Sequence, residues 1–220
     1  LHDMFVAWST GASLFCIPDN EKHAPSRFIK KHSLTFWFST PSTIALMQSA
    51  KLLKANSFST LRFSLFCGEP LSSELAENWM AAAPKSRLHN LYGPTEATIA
   101  ITQTEITKKL LNGVDTTVPI GFPLSGQVAG LCNSRGDFIM VQHGSQGELV
   151  VAGNQVTEGY WRDKQSTKSK FISGPNGEET NNTKWYKTGD RVVFDSEYGF
   201  RFLGRLDDQV KIMGHRVEIS

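Results

Sequence analysis

Leu88-His89-Asn90-Leu91-Tyr92-Gly93-Pro94-Thr95-Glu96 is a short apolar run that stops at a Gly-Pro turn and then offers a hydroxyl and a carboxylate. Two similar runs precede it. Residues 61–67 stop at Gly68-Glu69-Pro70, and Leu34-Thr35-Phe36-Trp37-Phe38, rich in β-forming residues, stops at Ser39-Thr40-Pro41. Between the runs lie helical patterns. One extends from Pro41 to about Lys54, with Ile44, Met47, Leu52 and Leu53 on its apolar side; the other can be capped by Ser72 or Ser73 and is closed by Pro84. Strand, helix, strand, helix, strand is the pattern of a parallel α/β sheet. In such a sheet ligands bind at the carboxyl ends of the strands, and residues 90–96 lie at one of those ends.

Beyond about Thr117 the texture changes. Short strand patterns at 127–132, 138–141, 148–152, 191–194 and 200–203 are separated by Gly, Asn and Asp turns, and only 163–171 looks helical. Residues 173–184, with Glu178-Glu179-Thr180-Asn181-Asn182, read as an exposed loop. The expected class is therefore α/β: residues 1–116 form part of a parallel-sheet subdomain and 117–204 a β-rich, barrel-like one.

Composition is that of an ordinary globular chain: 220 residues, 40% hydrophobic and 20% charged. The formal net charge of +2, without a basic block or acidic tail, gives no reason to propose a nucleic acid or an anionic membrane as partner. Cys16, Cys67 and Cys132 are widely spaced and form no CxxC pair, so neither a zinc site nor a disulfide framework is indicated, and a reducing cytoplasm fits. No apolar run approaches the roughly 20 residues that span a bilayer. The opening Leu1-His2-Asp3-Met4 lacks an initiator Met and a basic leader, and the end at Ile219-Ser220 interrupts a patterned segment, so the chain reads as a fragment.

Three segments carry chemistry. In the first, the Tyr92 ring can stack on a base, Gly93 lets the backbone approach a ligand, Thr95 can bond a phosphate oxygen, and Glu96 supplies the hard oxygen that magnesium prefers. The plain alternative is a Tyr-Gly-Pro-Thr turn with an exposed Glu; Gly-Pro alone fits it equally well, but the whole seven-residue string is harder to obtain by accident. In the second, Trp185-Tyr186-Lys187-Thr188-Gly189-Asp190, a Gly-Asp turn before a strand would hold a carboxylate able to accept from both hydroxyls of a ribose. Taken alone, Thr-Gly-Asp is an ordinary turn. The third runs from Gly204 to Gly214: Arg205 can contact ribose or phosphate and Lys211 is a second cation, yet the charges alone describe a solvated hairpin. A further stretch, 147–153 through Gly159-Tyr160-Trp161, reads as structural, a strand followed by a tight aromatic turn.

In this order, these segments resemble the superfamily of acyl-CoA synthetases, peptide-synthetase adenylation domains and luciferases, over nearly the whole chain. Ser39-Thr40-Pro41-Ser42, Leu65-Phe66-Cys67-Gly68-Glu69 and Tyr92-Gly93-Pro94-Thr95-Glu96-Ala97-Thr98 look most like D-alanine ligases that load a carrier protein. The resemblance implies ATP-dependent activation of a small carboxylic acid, an amino acid such as alanine, as its acyl-AMP. Transfer to a carrier-protein pantetheine, or alternatively to CoA, would follow. It implies ATP and magnesium as cofactors. Gly68, Glu69, Pro70, Asn90, Leu91, Tyr92, Gly93, Pro94 and Thr95 would cradle the nucleotide, with Tyr92 against the base. Asp190 would hold the ribose, helped by Phe202, Leu203, Gly204 and Arg205. Catalytic roles would fall to Thr95, Glu96 and Lys211, with Glu96 on the metal. Asp207 would be the hinge of a C-terminal lid beginning within 205–220, and Lys211 would approach only for thioester formation. His2, Phe38, Leu65, Cys67, Leu91, Ile99 and Ala100 would line a small, mostly apolar acid pocket; His2 and Phe38 depart from the D-alanine pattern.

The phosphate loop and the adenylation lysine expected of the superfamily have no counterpart in the sequence, so these residues alone should be inert. Two other readings compete: an acyl-CoA or aryl-CoA synthetase, and a non-catalytic nucleotide-binding module. Nothing structural requires Tyr92, Thr95, Glu96, Asp190 and Arg205 together, which argues against the module.

Overall fold

The computed structural model describes residues 2–114, 116–175, 184–207, 209–212 and 215–218. After a first helix α1 (His2–Ser9), a short helix α2 (Pro25–Lys31) leads into strand β1 (Phe36–Ser39). Helix α3 (Pro41–Ser49), strand β2 (Phe63–Phe66), helix α4 (Ser73–Ala82) and strand β3 (Arg87–Tyr92) follow. The three strands pair in parallel in the order β1-β2-β3, with Phe38 opposite Leu65 and Leu65 opposite His89. The alternating pattern therefore stacks Ser64, Phe66, Leu88 and Asn90 on the buried side and turns Leu65, His89 and Leu91 to the other.

The buried side is covered by α3 and α4. Ala76, Trp79 and Ala82 recur at three-residue spacing along α4, and Trp79 meets Phe66 edge-on and Phe58 at centroid distances of 5.1 Å each. Ser72 caps α4, its hydroxyl accepting from the Leu75 amide at 3.2 Å, and Pro84 lies two residues past the helix end. Helix α3 stops at Ser49, short of Lys54. Lys51 takes a left-handed φ of 57°, and the amides of Lys51 and Leu52 return to the carbonyls of Gln48 and Met47. This is a Schellman stop with lysine in the place usually held by glycine.

Two antiparallel strands complete the first sheet, which is therefore mixed: β4 (Thr102–Ile106) beside β3, and β5 (Phe122–Pro123) beside β4. A short helix α5 (Lys108–Asn112) connects them. The second sheet is antiparallel, built on β6 (Gln127–Cys132), β7 (Phe138–Ile139), β8 (Gln146–Gly153), β10 (Trp185–Asp195) and β11 (Gly199–Arg205), in the order β11-β10-β8-β6-β7. Helix α6 (Lys164–Lys170), capped by Asp163, precedes a short β9 (Phe171–Ile172) on the edge of β10. Strands β12 (Gln209–Ile212) and β13 (His215–Glu218) form a separate hairpin. A second core of Leu131, Leu149, Val151, Tyr186, Val192 and Phe200 underlies this part, and Tyr92 from β3 belongs to it. Together with Ile101 and Ile120, which flank β4 and β5, Tyr92 brings the end of the first sheet onto the second. No helix among the described residues is long and apolar enough to cross a membrane. The expected loop at 173–184 falls mainly on residues outside those described.

Candidate nucleotide and acid site

At the end of β3 the chain makes a tight excursion. A 3₁₀ turn at Thr95–Ala97 is followed by Thr98 and Ile99 with φ of 52° and 76°. Left-handed backbone is uncommon for any non-glycine residue and strained for a β-branched one. Cross-links hold it: the Thr98 hydroxyl donates to the Gln155 main-chain carbonyl at 2.7 Å, and the Gln155 side-chain Nε2 donates to the Ala100 carbonyl at 2.9 Å. The returning chain passes directly over Gly93, where a Cβ would lie 2.8 Å from the Ala100 Cα and 2.8 Å from the Ile99 carbonyl. Both neighbours are backbone and cannot step aside. Gly93→Ala is expected to cost about 1–3 kcal/mol, seen as a lowered denaturation midpoint with an unchanged denaturant slope.

The excursion carries Glu96 to a buried position, 8% exposed, where its Oε1 accepts from the Tyr160 hydroxyl at 2.6 Å. The Thr157 amide bonds the Glu96 main-chain carbonyl at 2.8 Å. Tyr160 is itself fixed: its amide donates to the Thr167 hydroxyl at 2.9 Å, and its ring meets Phe171 edge-on. The Tyr186 hydroxyl lies 3.5 Å from that of Tyr160. Burial, then the Tyr160 bond and the Glu96 charge, push Tyr186 far above the usual phenol range, so it stays protonated.

Asp190 reaches the same cluster from the other sheet. Gly189-Asp190 was expected as a turn ahead of a strand; both residues lie inside the continuous β10, at an irregularity where its pairing with β8 shifts between Lys187 and Arg191. Gly189, with φ of 73°, supplies the bend, and a Cβ there would sit 2.7 Å from Arg205 Nη2. The Thr188 hydroxyl donates to the Leu149 carbonyl at 2.7 Å and accepts from the Asp190 amide at 3.1 Å, locking the bulge. Asp190 is 4% exposed. Its Oδ2 accepts from the Tyr92 hydroxyl and its Oδ1 from Arg205 Nη1 at 2.8 Å. Each carboxylate oxygen keeps a second lone pair, so two acceptor positions remain.

Arg205 binds several groups at once. Its Nε and Nη2 fork onto Asp207 at 2.8 and 2.7 Å, Nη1 also reaches the Thr188 carbonyl, and Nη2 reaches the Gln209 side chain. Burial opposes its charge, but the bonds to Asp207 and Asp190 outweigh burial and hold its pKa above the ordinary guanidinium value. Burial likewise works against the Asp207 carboxylate, and the same guanidinium overcomes it and lowers that pKa. Tyr92 is pushed well above the phenol range by burial first and the Asp190 charge second.

The other singled-out residues divide. Phe38, Leu65, Cys67, Leu91, Ile99 and Ala100 gather in one apolar cluster with Leu124. A cavity of about 350 Å³ opens beside Leu65, Leu91, Ala100 and Leu124 and reaches His89 and Gln103. Gly68 has a left-handed φ of 98°, and Glu69 turns to helix α3, accepting from the Ser42 amide at 2.8 Å. Asn90 is 2% exposed and donates to the Pro119 carbonyl at 3.0 Å, so its amide ties the sheet to the segment beneath it. Thr95 and Leu203 are exposed, Pro94, Phe202 and Gly204 half-buried, and Pro70 exposed. The side chains of His2 and Lys211 lie outside the described residues. Tyr160, Thr188 and Gln155 were not anticipated. Tyr160 stood in a stretch read as structural, and only its distant partner Glu96 gives it a part in the site.

Comparison with known proteins accords with this geometry. The family described as AMP-binding enzyme matches residues 1–161. The D-alanine–D-alanyl carrier protein ligase of Bacillus licheniformis is 31% identical over 99% of this chain and 42% of its own length. The L-proline–[L-prolyl-carrier protein] ligase of Streptomyces coelicolor is 32% identical over 99% of this chain and 40% of its own. Among solved structures, the Vibrio cholerae adenylation domain AlmE, in complex with glycyl-adenosine-5'-phosphate, superposes with a TM-score of 0.89 at 36% identity, covering 99% of this chain and 40% of that one. The chain thus spans about two fifths of the curated relatives it matches. On the match to most of its length, the chain belongs to the AMP-binding enzyme family.

Proposed function

We propose that this chain supplies the nucleotide and acid sites of an AMP-forming ligase that activates a small amino acid, alanine being the simplest candidate, and passes it to a carrier-protein pantetheine. The observation that carries the reading is the pair of buried carboxylates held at one aromatic cluster: Glu96 by Tyr160, and Asp190 by Tyr92 and Arg205. The named relatives act on amino acids and carrier proteins, and AlmE was solved with an aminoacyl adenylate.

In this reading the two free acceptor positions of Asp190 hold the ribose hydroxyls, and Arg205 and Tyr92 fix the carboxylate so that binding costs little reordering. Phe38, Leu65, Cys67, Leu91, Ile99 and Ala100 receive the acid side chain. Thr95, exposed at the turn, donates to a phosphate oxygen. Glu96 fits magnesium in its chemistry: it is a buried carboxylate whose hard oxygens suit that ion and whose position is fixed by Tyr160. A single carboxylate with phosphates and waters is a usual magnesium arrangement. Magnesium, when bound, would neutralise the phosphate charge as the acid carboxylate attacks the α-phosphorus and diphosphate leaves. Asp207 and the β12–β13 hairpin would then belong to the hinge.

The test is amino-acid-dependent exchange of labelled pyrophosphate into ATP by the full-length protein. Exchange that requires both magnesium and a small amino acid is expected. Exchange driven only by fatty or aromatic acids would replace this reading with a CoA-ligase one, and no exchange with any acid would overturn it.

A further inference from the structure

Ile99 is the centre of a tight reversal. Its φ is 76°, and the Ala100 amide donates to the Thr98 carbonyl, two residues back, at 3.0 Å. A positive φ closed by such a bond is the rarer, strained form of γ-turn, and a β-branched residue is poorly suited to it. Backbone of this kind persists only where its surroundings over-determine it. Gln155 supplies that hold from outside the turn. Its Nε2 donates to both carbonyls that frame the reversal, to Thr98 at 3.3 Å and to Ala100 at 2.9 Å. A carboxamide nitrogen carries two hydrogens, so one group can serve both ends. In return the Thr98 hydroxyl donates to the Gln155 main-chain carbonyl at 2.7 Å, and the Gln155 amide is seated on the Gln127 side-chain oxygen at 3.4 Å.

We infer that Gln155 is a positioning residue for acid selection: its carboxamide clamps the γ-turn at Ile99 and so sets where the Ile99–Ala100 wall of the acid pocket stands. The inference rests on the adenylation reading and adds to it a residue from the second half of the chain. Ile99 and Ala100 pack in one cluster with Leu65, Cys67 and Leu91, and the Ile99 carbonyl accepts from the Cys67 thiol at 3.5 Å. Without the clamp, Thr98 and Ile99 could relax toward ordinary negative φ, which would carry the Ile99 side chain and carbonyl away together. The nucleotide side has its own supports. Glu96 is held by the Tyr160 hydroxyl and the Thr157 amide, and Asp190 by Tyr92 and Arg205. Loosening Gln155 should therefore disturb the acid pocket and spare the nucleotide.

The experiment is amino-acid-dependent pyrophosphate exchange by the full-length protein in wild type, Gln155→Met and Gln155→Glu. KM is measured separately for the preferred small amino acid and for ATP, beside a thermal melt of each protein. Methionine keeps the length of the side chain without a donor; glutamate keeps its shape and turns an oxygen on the two carbonyls. The amino-acid KM is expected to rise on the order of tenfold in Gln155→Met, the scale of one or two hydrogen bonds, and further in Gln155→Glu. The ATP KM should stay within about twofold, a split that a merely structural role would not produce. An amino-acid KM unmoved in both variants, an ATP KM that rises in step with it, or a melt that collapses in both overturns the inference and leaves adenylation standing. No exchange by the wild type with any amino acid overturns the adenylation reading, and this inference falls with it.

Discussion

Glu96→Ala in the full-length protein is expected to slow magnesium-dependent pyrophosphate exchange on the order of 100-fold or more, the scale seen when one preorganised electrostatic group is removed from a reacting centre. The carboxylate is 8% exposed and one of its oxygens already accepts from Tyr160, so its position is fixed before any ligand arrives. Alanine removes the hard oxygen together with the acceptor of the Tyr160 hydroxyl. The stability change should be about 1–3 kcal/mol, the scale of leaving a buried donor without its acceptor. Exchange rates titrated against magnesium, set beside a thermal melt, separate the two effects. A rate unchanged at every magnesium concentration would take Glu96 away from the metal; a collapsed melt would show instead that its role is structural.

Arg205→Ala is expected to lower stability by about 3 kcal/mol, the scale on which breaking one side of a buried ion pair costs a fold. The Arg205 and Asp190 side chains are 18% and 6% exposed and lie 2.8 Å apart, so the aspartate left behind would keep Tyr92 as its charge-stabilising partner but lose its cation. Chemical denaturation measures the loss. Arg205→Lys should recover little of it, because one ammonium cannot reproduce a planar fork that meets Asp207, Asp190 and the Thr188 carbonyl together. A denaturation midpoint unmoved in Arg205→Ala would mean that Asp190 is solvated well enough to stand alone.

The parallel core was legible because each of its strands is an apolar run stopped by a Gly or Pro turn, and α4 carries a serine cap and a following proline. What escaped has physical causes. The stop of α3 at Ser49 was hidden because a lysine takes the left-handed position where glycine would have announced it. The antiparallel β4 reads as Thr-Gln-Thr-Glu-Ile, with too little apolar alternation to stand out. Gly189-Asp190 has the composition of a turn, and only pairing on both flanks keeps the strand continuous through it. The site residues within the motifs could be named from the string itself. Tyr160 could not, since its bond to Glu96 joins residues 64 positions apart and nothing local to it signals the partner.

The shared guanidinium has one more consequence. The carboxylate proposed to meet the ribose and the one proposed to begin the hinge are both tethered to Arg205, through separate nitrogens. Any rearrangement that frees Asp207 must reshape the grip on Asp190, and by thermodynamic reciprocity whatever occupies Asp190 alters the ease of that rearrangement. Occupancy and rotation would be two readings of a single dial, with no intermediary between them.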